Sequence, residues 1–220
     1  SFGADGTVAI DDVYSGDNVL TQAPGGITAA IGAAIANDFK PVMPERLTVR
    51  LEAAERQQFT TIERAWLDTT RPRAGATHTV SVMLRDYRGA TETIAVPVTM
   101  PAKASGPLKL LVTDGPTLSA METRELRPGK PSNWPELLKH LQAARANNRV
   151  YVRLIDAATG TVVGGDSMPA LPASARSVFQ ADSSIASADM SRIVLGAWEH
   201  RLNRAVRGSR EITLTLEAWQ

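Results

Sequence analysis

The chain's capacity for proton transfer rests first on three histidines, His78, His140 and His200, because it contains no cysteine. A zinc site needs a second imidazole or a carboxylate at ligand spacing, as in His-x-x-x-His on one helical face. His78 opens an alternating segment, His140 falls on the polar side of a helical one, and His200 follows Trp198-Glu199. None has that company, so no metal ligand is assigned. Gly164-Gly165-Asp166-Ser167-Met168-Pro169 is half of a nucleophile elbow. The full pattern, Gly-x-Ser-x-Gly, closes on a glycine that lets strand turn into helix around an exposed hydroxyl. Pro169 occupies that place, so a plain turn is expected.

Asp11, Asp12 and Asp17 offer oxygens suited to calcium, but they lack the Asp-x-Asp-x-Asp-Gly spacing and its closing Glu, and they read as a polar loop. Gly25-Gly26 ahead of a helical run could present N–H groups to an anion. A phosphate loop would follow its last glycine with Lys; here Ile27 follows, and a tight turn is expected. Trp66, Trp134, Trp198 and Trp219 lie mostly on apolar faces and read as core filling rather than a carbohydrate platform. No catalytic residue, cofactor or metal is therefore expected.

With 24 basic and 23 acidic residues the net charge is +1, which disfavours nucleic acid because phosphate binding needs a one-signed surface. The basic clusters Arg71-Pro72-Arg73 and Arg201 to Arg207 lack interleaved aromatics and read as solvated. No apolar run approaches the roughly 20 residues of a membrane helix, so no membrane insertion is expected. The chain begins Ser1-Phe2-Gly3 without an initiator Met, as expected of an excised fragment or a processed form.

Scaffolding elements follow from periodicity. Val80, Val82 and Leu84, the turn Asp86-Tyr87-Arg88-Gly89, and Ile94, Val96 and Val98 predict two antiparallel strands between His78 and Met100. Further strands are predicted at 7–14, Leu47–Leu51 and Phe59–Leu67, the last with Phe59, Thr61, Glu63 and Ala65 on one face and a bulge where alternation breaks. Others follow at Leu108–Val112, Val150–Leu154, Thr161–Val163, Ile193–Trp198 and Ile212–Trp219. Ile27, Ile31, Ile35 and Phe39 predict a helix over 26–39, and Asn133 with Glu136 caps a second over 133–147. Thr113-Asp114-Gly115-Pro116 reads as a turn, and Met100–Gly106 as a linker. The expected fold is mixed, β-rich α+β: an immunoglobulin-like antiparallel β-sandwich with an attached helix over 1–102, then a smaller α+β unit over 107–220.

Five segments in order, Ala36-Asn37-Asp38-Phe39-Lys40-Pro41, Leu84-Arg85-Asp86-Tyr87-Arg88-Gly89, Val112-Thr113-Asp114-Gly115, Asn147-Asn148-Arg149-Val150-Tyr151-Val152 and Met168-Pro169-Ala170-Leu171-Pro172, carry a family resemblance. From about Gly25 to the end, the chain resembles the region that follows the peptidase domain in large bacterial, notably acidobacterial, proteins with a SpoIVB-type serine peptidase domain. That family's Gly-x-Ser-Gly-Ser-Pro-like motif is not in this sequence. The resemblance implies a non-catalytic accessory module outside the cytoplasm, with the missing peptidase domain or another protein as partner. A peptide-binding sheet edge is expected at Glu92, Ile94, Val96 and Val98, because Pro97 inside a strand marks an edge. The alternatives are a serine hydrolase joining Ser167 to His140 or His200 and Asp114, and a purely structural spacer.

Overall fold

Alternating apolar residues set the strands, and their inward faces meet. The computed structural model describes residues 1–16, 19–55, 57–104, 106–126, 131, 133–156, 160–163, 166–168, 174–175, 177–178, 187–190 and 192–216. The predicted hairpin is present as β2 (Thr77–Asp86) and β3 (Thr91–Thr99), with Val80 opposite Val96 and Val82 opposite Ile94. Its turn is fastened by Asp86, whose Oδ1 accepts the N–H groups of Arg88 and Ala90, each at 2.9 Å. Gly89 has φ of 90°, a conformation side chains resist.

β1 (Phe59–Leu67) pairs antiparallel with β2 and parallel with the short β10 (Ala205–Arg207), giving a first sheet ordered β10-β1-β2-β3. A second, antiparallel sheet is ordered β11-β4-β5-β9, from β4 (Gly106–Thr113), β5 (Arg149–Asp156), β9 (Ile193–Arg201) and β11 (Ser209–Leu216). Between β5 and β9, β6 (Gly160–Val163), β7 (Asp166–Met168) and β8 (Ser187–Met190) form a small sheet ordered β7-β6-β8. The protein is thus β-rich mixed α+β, with two main, mostly antiparallel sheets.

One cluster of buried side chains joins those sheets. Ile62, Val80, Val82, Leu84, Val96 and Val98 come from the first, and Leu108, Leu110, Val112, Val150, Val152, Leu154 and Leu214 from the second. Residues of both expected units, 1–102 and 107–220, contribute to it, and β10 of the later unit pairs with β1 of the earlier. A smaller cluster gathers Phe2, Ala34, Val42 and Trp134.

The helices depart from expectation at their ends. α1 spans Val19–Ile35, starting before Gly25-Gly26, so those glycines lie inside the helix and not in a turn. Gly26 has a steric reason: a Cβ there would stand 2.4 Å from the Tyr14 hydroxyl oxygen. α1 stops short of 39 because Asn37 caps the end: its Nδ2 donates to the Ala34 carbonyl at 2.7 Å while its Oδ1 accepts from Phe39 and Lys40. The Asp114-Gly115-Pro116 turn is corrected to the start of a helix, α2 (Gly115–Leu126). Asp114 caps it, accepting the Thr117 N–H at 2.7 Å. α3 spans Trp134–Gln142, with Asn133 accepting the Glu136 N–H at 3.0 Å as predicted. It ends before 147, because Asn147 and Asn148 serve other bonds.

Those bonds hold the amino-terminal segment, which is no strand over 7–14. Asn147 accepts the Val13 N–H at 2.8 Å and donates to the Val13 carbonyl at 3.0 Å, while Asp12 accepts the Asn147 N–H at 2.8 Å. One side-chain amide replaces the ladder that a strand would need. Leu47–Leu51 is not a strand either, and Leu47, Val49 and Leu51 are exposed. Alternation gives such a run two faces but supplies no neighbour. Among the described residues no helix is long and apolar enough to cross a membrane.

Candidate functional site

β1 carries the expected bulge, and its placement opens an edge. The register with β2 shifts between Ile62 and Arg64, leaving Glu63 as the extra residue. Before the bulge Thr60 and Ile62 point inward, both fully buried, so Phe59, Thr61 and Glu63 do not share one face with the core-packed Ala65 as expected. After it Ala65 and Leu67 pack on the core while Arg64 and Trp66 face out. Trp66 is 42% exposed and does not fill the core, unlike Trp134 at 6%. Trp198 packs partly buried against the main core, and Trp219 lies outside the described residues.

β10 covers β1 only from Phe59 to Thr61. Beyond that, Gly208, with φ of 99°, turns the chain away into β11 and the second sheet. The Asp68 N–H donates to the Thr79 carbonyl, which fixes the ladder phase. Arg64 and Trp66 then bond to β2, and the main-chain groups of Ala65 and Leu67 point to the uncovered side. A cavity of about 400 Å³ lies there, lined by Glu63, Arg64, Ala65, Trp66, Arg210 and Glu211. Arg210 marks its inner end, with Nε donating to the Glu63 carbonyl at 2.8 Å. The lining acids are engaged, Glu63 by Arg85 at 2.6 Å and Glu211 by Lys109 at 3.0 Å. Arg64 and Arg210 have no described carboxylate partner. The groove therefore offers strand-type main-chain groups, an indole face and two uncompensated guanidiniums.

The sequence-derived edge lies on the opposite side of this sheet. β3 is its edge strand, as Pro97 indicated. Met100 donates to the Ala76 carbonyl and Asp86 to the Ala90 carbonyl, so Glu92, Ile94, Val96 and Val98 spend their main-chain bonds on β2. Val96 and Val98 are buried, and Glu92 is ion-paired to Arg204. The odd-numbered residues face outward, and Pro97, lacking N–H, interrupts them.

The residues of the rival triad fall on separate elements. Both Asp114 oxygens are committed, Oδ1 to the Thr117 N–H at 2.7 Å and Oδ2 to the Gly208 N–H at 2.6 Å. Ser167 sits mid-strand in β7 opposite Val162, not on a strand-to-helix turn; Gly164, Gly165 and Pro169 lie outside the described residues. His140 is in the last turn of α3, and His200 is opposite Val150. His78 bridges a loop, 3.3 Å from Asp68 through Nδ1, with Nε2 accepting the Arg73 N–H. Asp11 binds Arg149 and Arg201, and Asp17 lies outside the described residues. Among the described residues no three metal-ligating groups converge.

The densest buried charge is a second candidate, and it fastens α2 to the second sheet. Arg145 grips Glu122 with two bonds, 2.8 and 3.0 Å, which raises the arginine's pKa above its ordinary value. Arg153, 6% exposed, lies 4.0 Å from Glu122 and over the Tyr151 ring. Burial, then the neighbouring Arg145, lowers its pKa. Arg153 also donates to the Val152 and Trp198 carbonyls.

No protein-family model, curated protein or solved structure matches the chain.

Proposed function

We propose that this chain is a non-catalytic interaction module that takes an extended segment of a partner protein onto the open edge of β1. The observation that carries the reading is the juxtaposition, along Glu63–Leu67, of uncovered main-chain groups, an exposed indole and two arginines with no described carboxylate partner. Strand addition supplies affinity through main-chain bonds, and side chains at alternate positions supply selectivity. An added strand would turn one face outward with Arg64 and Trp66 and the other inward with Ala65 and Leu67, so the fitting segment alternates acidic residues on the outer face with apolar residues on the inner one. The five segments quoted above support placing the module after the peptidase domain of a SpoIVB-type bacterial protein, outside the cytoplasm. The missing peptidase domain or another protein would then be the partner. The shared core of the two sheets supports an immunoglobulin-like sandwich, from which the parallel β10–β1 pair is a departure.

A short peptide alternating glutamate with valine, titrated against the protein, tests the reading. Binding is expected to quench the exposed Trp66, and Trp66→Ala to weaken it by about 2 kcal/mol, roughly thirtyfold. Binding unaffected by Trp66→Ala and by Arg64→Glu would refute the groove. Labelling of Ser167 by a serine-directed phosphonate would refute the non-catalytic assignment.

A further inference from the structure

Exposed apolar side chains concentrate ahead of β1. Ile35, Phe39, Met43, Leu47, Val49 and Leu51 are six of the eleven exposed large hydrophobics among the described residues. The last three alternate within Arg46-Leu47-Thr48-Val49-Arg50-Leu51-Glu52. No described residue bonds the backbone of residues 47–55, and among the described residues the ion pair of this run, Arg50–Glu52 at 2.8 Å, lies within it. Such a run carries the donors, acceptors and apolar face of a strand without a neighbour.

We propose that Arg46–Glu52 pairs antiparallel with the same segment of a second copy, about a twofold axis through Val49. In this register Val49 faces Val49, Leu47 faces Leu51, Thr48 faces Arg50 and Arg46 faces Glu52, each of the last three twice. Every apolar residue meets an apolar one, and the outermost charges are opposite. Neighbouring registers are worse: centring on Arg50 sets Arg50 against itself, and centring on Leu51 sets Leu47 against Glu55. The free edge also fits. Ser1 accepts the Glu45 and Arg46 N–H groups at 3.0 and 3.3 Å and donates to the Arg46 carbonyl at 2.7 Å. A strand's main-chain groups alternate between its two edges, so Ser1 occupies the Arg46 side and Leu47, Val49 and Leu51 present theirs to the other. Those three make the bonds of this register. The interface is self-complementary, as a twofold contact requires, and is independent of the β1 groove.

Light scattering over a concentration series reads the outcome. The protein is expected to pass from protomer to dimer as concentration rises. Val49→Lys sets two ammonium groups on the axis and is expected to weaken the dimer at least tenfold, as is Arg46→Glu. The exchange Arg46→Glu with Glu52→Arg is expected to restore it, and Trp66→Ala to leave it unchanged. These positions are exposed, and unchanged circular dichroism will verify that each variant is folded. A chain that stays monomeric overturns the proposal and leaves the segment to another partner. So does a dimer indifferent to Val49→Lys, one the double exchange fails to rescue, or one that Trp66→Ala abolishes.

Discussion

Glu122 holds two guanidiniums with one carboxylate, and its surroundings decide what its loss costs. Its side chain is 15% exposed and that of Arg153 8%, so solvent does little to replace it. Glu122→Gln leaves Arg145 and Arg153 facing each other with only the more distant Glu199 opposing them, and is expected to cost about 3 kcal/mol in urea unfolding. A loss below about 1 kcal/mol would mean that the pair is solvated. Arg153→Met removes the charge with its desolvation penalty and is expected to be far milder. Tyr151, 2% exposed and donating to the Ala146 carbonyl at 3.1 Å, has its pKa raised, first by burial and then by Glu199. With a folded pKa above the unfolded value of about 10, this contribution to stability is complete below about pH 10 and is lost as pH rises from there through the folded pKa. Tyr151→Phe should therefore flatten the alkaline fall in Tm, and an unchanged fall would contradict the assignment. Gly115 approaches the Ala146 carbonyl so closely that a Cβ would lie 2.2 Å from its oxygen. Gly115→Ala is expected to cost about 1–3 kcal/mol.

Elements were legible where one rule governed them. The hairpin of β2 and β3 followed from alternation on both sides of Asp86–Gly89, and the α3 start from Asn133 and Glu136. The α2 start was hidden because Asp-Gly-Pro serves equally as a turn and as a cap followed by the first two helical positions. β10 was hidden among arginines, since three residues of strand carry no period. The open edge left one trace in the sequence, the broken alternation at Thr60, Ile62 and Trp66. That trace located the bulge but not the groove, because β11 approaches from far along the chain. Asp114 joins three elements, ending β4, capping α2 and accepting the Gly208 N–H before β11. Asp114→Ala removes a cap and leaves a part-buried donor unpaired, for an expected loss of about 2–4 kcal/mol. Faster amide exchange at Thr117 and Gly208 would locate the damage there; unchanged exchange at both would contradict this role.

At the scale of the molecule, one core drawn from both main sheets is expected to make them unfold together. Urea transitions followed by tryptophan fluorescence and by far-ultraviolet circular dichroism should coincide, and separated midpoints would mean two independent units. The proposed function belongs to what this core leaves uncovered. The strand pairings that pack Ile62, Ala65 and Leu67 on the core are the ones that leave the main chain of Ala65 and Leu67 bare beside Trp66. Hydrogen exchange at those two amides, with and without a saturating glutamate–valine peptide, tests this most directly. Bound peptide should slow exchange at Ala65 and Leu67 and leave Thr93 and Ala95 on β3 unchanged. Protection on β3 with none at Ala65 and Leu67 would contradict the account.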